Sequence, residues 1–167
     1  MTRPVLVIMG VSGSGKSTVA KPLAERLGWP FQEGDDLHPA ANVAKMKAGI
    51  ALDDADRAPW LDAIATWIGD RLTADSGGVV TCSALRRAYR DRLREAGDGV
   101  ICVYLEGSKA VIAERVANRH GHFMPPALLD SQFATLEPPT PNEHPIVVDI
   151  DQPAERQVSE IIAALPA

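Results

Sequence analysis

Apolar and polar positions along this chain change period repeatedly. Residues 4–9 form an unbroken apolar run, the pattern of a strand buried on both faces. Residues 17–27 follow with helical spacing, and Gly28 stands where a helix stop belongs. The pattern then predicts a short strand over 30–32 and helices over 42–48 and 56–72. In the latter, Ile64, Trp67, Ile68 and Leu72 recur on one helical face. A strand over 79–82 leads to a helix reaching residue 96, with Ser83 as its cap. A strand over 100–105, a helix over 108–119 capped by Ser108, and a strand over 146–150 come next. Pro153 opens a terminal helix at a position proline tolerates. Strands alternating with helices predict an α/β fold, a parallel sheet flanked by helices.

Two stretches break the rhythm. Residues 33–57 are rich in Asp, His and Pro, and residues 120–145 carry Pro125, Pro126, Pro138, Pro139, Pro141 and Pro145. Long irregular insertions in a compact domain are commonly binding loops or lids. The expectation is a substrate-binding segment over about 33–60 and a lid over about 120–145, within one domain spanning 1–167.

Composition narrows the partners. A formal net charge of -5 lacks the basic surplus of a duplex-binding protein, so nucleic acid is not expected. No basic-plus-apolar leader opens the chain, and no apolar run approaches the ~20 residues that span a bilayer. The expectation is a cytoplasmic protein without a membrane partner. Cys82 and Cys102 lie inside apolar runs and read as buried free thiols.

The sharpest chemical signal is Gly10-Val11-Ser12-Gly13-Ser14-Gly15-Lys16-Ser17, which matches GxxxxGK[ST] between a strand and a helix. Glycines allow tight backbone conformations and leave no Cβ to block phosphates. Successive N–H groups, including those of Ser12, Gly13, Ser14 and Thr18, then form an anion cradle at a positive helix end. Lys16 is suited to the β- and γ-phosphates of ATP, and the Ser17 hydroxyl to Mg²⁺. A guanine-reading Asn-Lys-x-Asp is absent from the sequence.

The second strand runs into Glu33-Gly34-Asp35-Asp36-Leu37-His38-Pro39. Ligands of parallel sheets collect beyond the carboxyl ends of strands, so Asp35 or Asp36 should face the γ-phosphate. Asp35, just past the strand end, is the candidate to accept a substrate proton or to hold a water on Mg²⁺.

Further blocks accompany these. They are Asn42 with Lys45-Met46, the run from Leu52 to Leu61, Cys82-Ser83-Ala84-Leu85-Arg86-Arg87 and Tyr89-Arg90-Asp91. Gly121-His122-Phe123, Ser131-Gln132-Phe133 with Leu136-Glu137, and Val148-Asp149-Ile150-Asp151-Gln152-Pro153 complete them. Together with the phosphate loop they resemble, in order and over nearly the whole chain, the small gluconokinase family, related to shikimate and nucleoside monophosphate kinases. The resemblance implies a P-loop NTPase-type sheet with a lid. It implies transfer of a phosphoryl group from ATP to the 6-hydroxyl of D-gluconate with Mg²⁺, and a homodimer. A gluconate carboxylate suits an arginine fork. Arg57 and the pair Arg86 and Arg90, four apart at an expected helix start, are candidates, with His38 for a hydroxyl and Gln132 from its block. The resemblance also implies two arginines near the lid. Arg115 is the candidate to stack on adenine, Arg119 to cross the phosphates, and Asp151, Gln152 and Pro153 should border the base.

Overall fold

The computed structural model describes residues 3–118 and 126–166. Every residue of β1 (Val5–Met9) is fully buried. Its side chains alternate between two cores: Leu6 and Ile8 join one, Val5, Val7 and Met9 the other. That is why its sequence is apolar throughout rather than alternating.

β1 is the centre of a five-stranded parallel sheet among the described residues, with β2 (Phe31–Glu33), β3 (Gly78–Thr81), β4 (Val100–Glu106) and β5 (Ile146–Asp149). The order is β2-β3-β1-β4-β5. The first core lies under α1 (Lys16–Leu27), where Val19, Ala20 and Leu23 pack with Leu105, Val148 and Ile150. On the other face α3 (Asp54–Ala74) contributes Trp60, Ile64 and Ile68 against Val7, Cys102 and Tyr104. Between β2 and α3 run a 3-10 turn (Gly34–Leu37) and α2 (Ala40–Lys47). The α3 start is marked by a capping box: Asp53 accepts from the Asp56 N–H, and Asp56 accepts from the Asp53 N–H.

Two expectations are corrected. α4 (Arg87–Arg94) begins later than expected, with Arg86 as an extended N-cap residue at φ -104° and ψ 145°. Ser83 does not cap it. The Ser83 carbonyl accepts from the Gly10 N–H at 3.3 Å, and Ala84 takes φ +46°. Tertiary hydrogen bonds hold this segment off the helical path. The described part of the proline-rich region, 126–145, is also less irregular than its composition suggests. It contains α6 (Pro126–Thr135) and a 3-10 turn at Pro141–Glu143. Leu129 is buried in the first core, with Phe133 and Leu136 packed against it, so apolar anchoring outweighs the prolines. α5 (Lys109–Ala117) is capped by Ser108, as expected, through the Val111 N–H at 3.1 Å. α7 (Ala154–Ala164) follows Pro153. Both cysteines are buried and free. No helix among the described residues is long and apolar enough to cross a membrane.

Candidate active site

The loop after β1 turns through glycines in left-handed conformations, Gly13 at φ +86° and Gly15 at φ +92°, and delivers the chain into α1. A side chain at Gly15 would meet nothing within 4 Å, so the cradle opens outward there. Ser14 is fully buried, and its hydroxyl has no partner among the described residues. Lys16 donates to the Gly10 and Val11 carbonyls at 3.0 and 3.1 Å, folding its ammonium over the loop. Burial pushes that ammonium below the ordinary lysine value, while the Asp35 and Glu33 charges oppose the shift. Two carboxylates at the carboxyl edge of the sheet thus act electrostatically on Lys16. Thr18 is exposed on the first turn of α1.

Glu33 ends β2 and points at the loop. The Ser17 hydroxyl lies 2.8 Å from both of its oxygens, and the Thr81 hydroxyl donates to it at 2.6 Å. Gly34 follows because β2 runs against the end of β3, where a Cβ would collide with the Thr81 carbonyl. Its N–H donates to Thr81 Oγ1 at 3.0 Å, and its carbonyl accepts from Trp60 Nε1 at 2.8 Å. This anchoring sets the exposed Asp35 at the second position of the 3-10 turn, close enough to act electrostatically on both Lys16 and His38.

Beyond Asp35 lies a polar cluster drawn from several elements. His38 stacks on Trp60 with ring centroids 4.2 Å apart, and its Nδ1 lies 3.2 Å from the Asn42 amide. Burial lowers the His38 pKa; the Asp35 charge opposes that shift and the Arg57 charge adds to it. Arg57 donates to the Tyr89 hydroxyl at 3.3 Å and lies 3.6 Å from Asp54. Tyr89 in turn donates to Asp54 at 2.6 Å. Burial raises the Tyr89 pKa; the Asp54 hydrogen bond adds to this, while Arg57 and Arg86 pull the other way. Arg86 is exposed beside this cluster. The arrangement offers two cationic side chains, a phenol and an imidazole, with the Asp35 carboxylate acting electrostatically on both the imidazole and the loop lysine.

A family model described as an AAA domain matches residues 5–139. A gluconokinase from Gluconobacter oxydans is 50% identical over 157 residues, covering 94% of this chain and 88% of that protein. The thermoresistant gluconokinase of Escherichia coli is 43% identical over 162 residues, covering 96% and 93%. The crystal structure of a gluconokinase from Sinorhizobium meliloti superposes with a TM-score of 0.87 at 50% identity, over 97% of this chain and 91% of that one. The chain belongs to the gluconokinase family.

Within this gluconokinase fold, several expected site residues stand elsewhere than anticipated. Arg90 does not share a face with Arg86. Its side chain is 0% exposed, and it pairs with Glu143 through Nε at 2.8 Å and donates to the Ala84 carbonyl at 2.9 Å. Arg94 reaches the same carboxylate. With its guanidinium committed to Glu143 and Ala84, Arg90 buttresses the acceptor side from beneath rather than lining it. Gln132 also moves: its side-chain oxygen accepts from the Ser12 N–H at 2.6 Å, so it braces the phosphate loop. Arg115 donates to the Ile150 carbonyl, and Gln157 holds the Gln152 carbonyl at 3.1 Å, fixing the turn at Asp151, Gln152 and Pro153. Arg119 and the Gly121-His122-Phe123 block lie outside the described residues.

Sequence reasoning missed Glu33 and Tyr89. Glu33 had a usable signal, the last position of a strand ending at the ligand edge, but the two aspartates beside it masked that signal. Tyr89 had none, because its partners Arg57 and Asp54 are more than thirty positions away.

Proposed function

We propose that this chain transfers the γ-phosphoryl group of ATP to the 6-hydroxyl of D-gluconate, giving 6-phospho-D-gluconate and ADP. The observation that carries the reading is that Asp35, two residues past the end of β2, acts electrostatically both on Lys16 of the phosphate loop and on His38 of the His38–Arg57–Tyr89 cluster. With the Gly10, Ser12 and Ser14 N–H groups committed to Ser83, Gln132 and Val11, the N–H groups of Gly13, Gly15, Lys16, Ser17 and Thr18 bind the phosphates, and the Lys16 ammonium follows the charge on the transferring group. The donor set suits Mg²⁺, since Ser17 and Glu33 supply hard oxygens within 2.8 Å of one another. When bound, the ion neutralises charge shared by the β- and γ-phosphates. Arg57 and Arg86 hold the gluconate carboxylate, and His38 receives a hydroxyl of the polyol.

Asp35 aligns the 6-hydroxyl. As the bond from its oxygen to the γ-phosphorus forms and the bond to ADP breaks, the hydroxyl proton passes to Asp35. Arg115 at the adenine end, Arg119 over the phosphates and a homodimer, all carried by the family resemblance, complete the proposal, together with a cytoplasmic location read from the apolar pattern of the sequence.

The test is ADP release by the purified protein with gluconate, glucose, shikimate and nucleoside monophosphates as acceptors. Glucose lacks the carboxylate, and an arginine fork left unpaired in a closed site should penalise it by on the order of several kcal/mol. Equal use of glucose and gluconate would end this reading.

A further inference from the structure

α4 and the residue before it supply two members of the acceptor cluster, Tyr89 and Arg86, yet the helix has no side-chain cap of its own. Arg86 at its N-cap makes no side-chain cap bond, and its first turn holds no acidic residue. The missing acceptor comes from another part of the chain. Glu137, just beyond α6, accepts from the Arg87 N–H through its side chain at 2.9 Å. Its own backbone N–H donates to the Leu85 carbonyl at 2.7 Å. One residue thus holds the peptide groups on both sides of Arg86. The neighbouring segment is otherwise irregular, with Ala84 at φ +46°. The direction in which Arg86 leaves the backbone is therefore set by long-range bonds and not by helical geometry.

We infer that Glu137 is a positioning residue that aims Arg86 at the acceptor carboxylate, so that the segment following α6 helps determine acceptor affinity. The inference rests on the assignment of Arg86 under the proposed function. Glu137 itself touches no reacting atom. It fixes the helix start through one charge-assisted cap bond, the kind whose loss weakens a helix start by about fivefold. Pro138 and Pro139 follow directly and restrict the backbone that presents it.

The experiment compares steady-state kinetics and thermal unfolding of the full chain and its Glu137→Ala, Glu137→Gln, Arg86→Ala and Arg86→Ala/Glu137→Ala variants. Glu137→Ala should raise KM for gluconate about five- to tenfold while leaving KM for ATP within about twofold. Glu137→Gln keeps a side-chain oxygen and should stay within about twofold of wild type. The double variant should be no worse for gluconate than Arg86→Ala alone, because both changes remove the same contact. Should Glu137→Ala fold poorly, Glu137→Asp, too short to reach the Arg87 N–H, should show the same KM rise. The inference is overturned if folded Glu137→Ala or Glu137→Asp leaves KM for gluconate unchanged, or raises both KM values alike. It is also overturned if the two changes add in full. If Arg86→Ala leaves KM for gluconate unchanged, the Arg86 assignment fails and the inference falls with it. If Arg86→Ala raises it and the Glu137 variants do not, the inference alone fails.

Discussion

The proposed donor site is made of consecutive residues, Gly10 to Ser17, and relies mostly on backbone N–H groups with two side chains. The proposed acceptor site draws Asp35, His38, Arg57, Arg86 and Tyr89 from the 3-10 turn and its end, α3 and the α4 region, and relies on their side chains. A cradle made of backbone needs local conformation only. A side-chain cluster needs every supporting element in register, and here that support is long-range: Trp60 under His38, Asp54 beside Tyr89, Glu143 under Arg90. Damage to the donor loop should therefore remove chemistry while sparing the fold. Damage to the acceptor scaffold should cost stability first.

The largest effect expected from that contrast is Arg90→Ala. It removes one of the two guanidinium partners of Glu143, 1% exposed, leaving Arg94 and the Thr140 N–H, and should destabilise the protein by about 3 kcal/mol. Urea unfolding measures this, and a loss below about 1 kcal/mol would refute the scaffold argument. The same network has a pH signature. Burial raises the Glu143 pKa, but hydrogen bonds from Arg90, the Thr140 N–H and Arg94 outweigh it and hold the group at about 2 instead of 4.5. A depressed carboxyl contributes its stability fully above the unfolded pKa and loses it as pH falls through the folded one. Stability followed by circular dichroism should decline between pH 4.5 and about 2, and Glu143→Gln should flatten that decline.

On the donor side, Lys16→Ala should lower kcat by at least ~10²-fold, about 3 kcal/mol of lost charge stabilisation, with an unchanged unfolding midpoint. Turnover within a few-fold of wild type would sink the donor assignment. Asp35→Asn should lower kcat by roughly 10²-fold while ATP binding, read by calorimetry, persists. Asp36→Asn should do much less. The reverse ranking would mean that the turn presents the other carboxylate. Smallest is Arg57→Ala, expected to raise KM for gluconate about tenfold and to narrow the preference over glucose. Unchanged discrimination would remove Arg57 from the carboxylate fork.

Much of this architecture was legible beforehand. The continuous apolar runs marked β1 and β4, and Ser108 and Gly28 marked helix ends where they occur. The places that misled are ones where distant contacts override local preference. Residues 83–86 looked like a helix start because Ser83 is a good cap, but its carbonyl belongs to the phosphate loop. Residues 126–135 looked irregular because of their proline neighbours, but Leu129 pulls them onto the core as α6. Arg86 and Arg90 shared an expected helical face only while that helix was assumed to begin at residue 83.

What the sequence alone determined is whatever depends on neighbours in the chain. The α/β class follows from hydrophobic period, and the phosphate loop from glycines and a lysine at fixed spacing. The position of Asp35 follows from its distance past the end of β2. What only the tertiary structure decided is how residues far apart divide their work. It committed the Arg90 guanidinium to Glu143 instead of to a ligand, gave Gln132 to the phosphate loop, put Glu33 against Ser17, and set Glu137 at the start of α4. Each of these is a charged or polar group whose environment, not its type, sets its role. Burial and pairing depend on what the fold brings within about 3 Å, a distance that sequence separation does not encode.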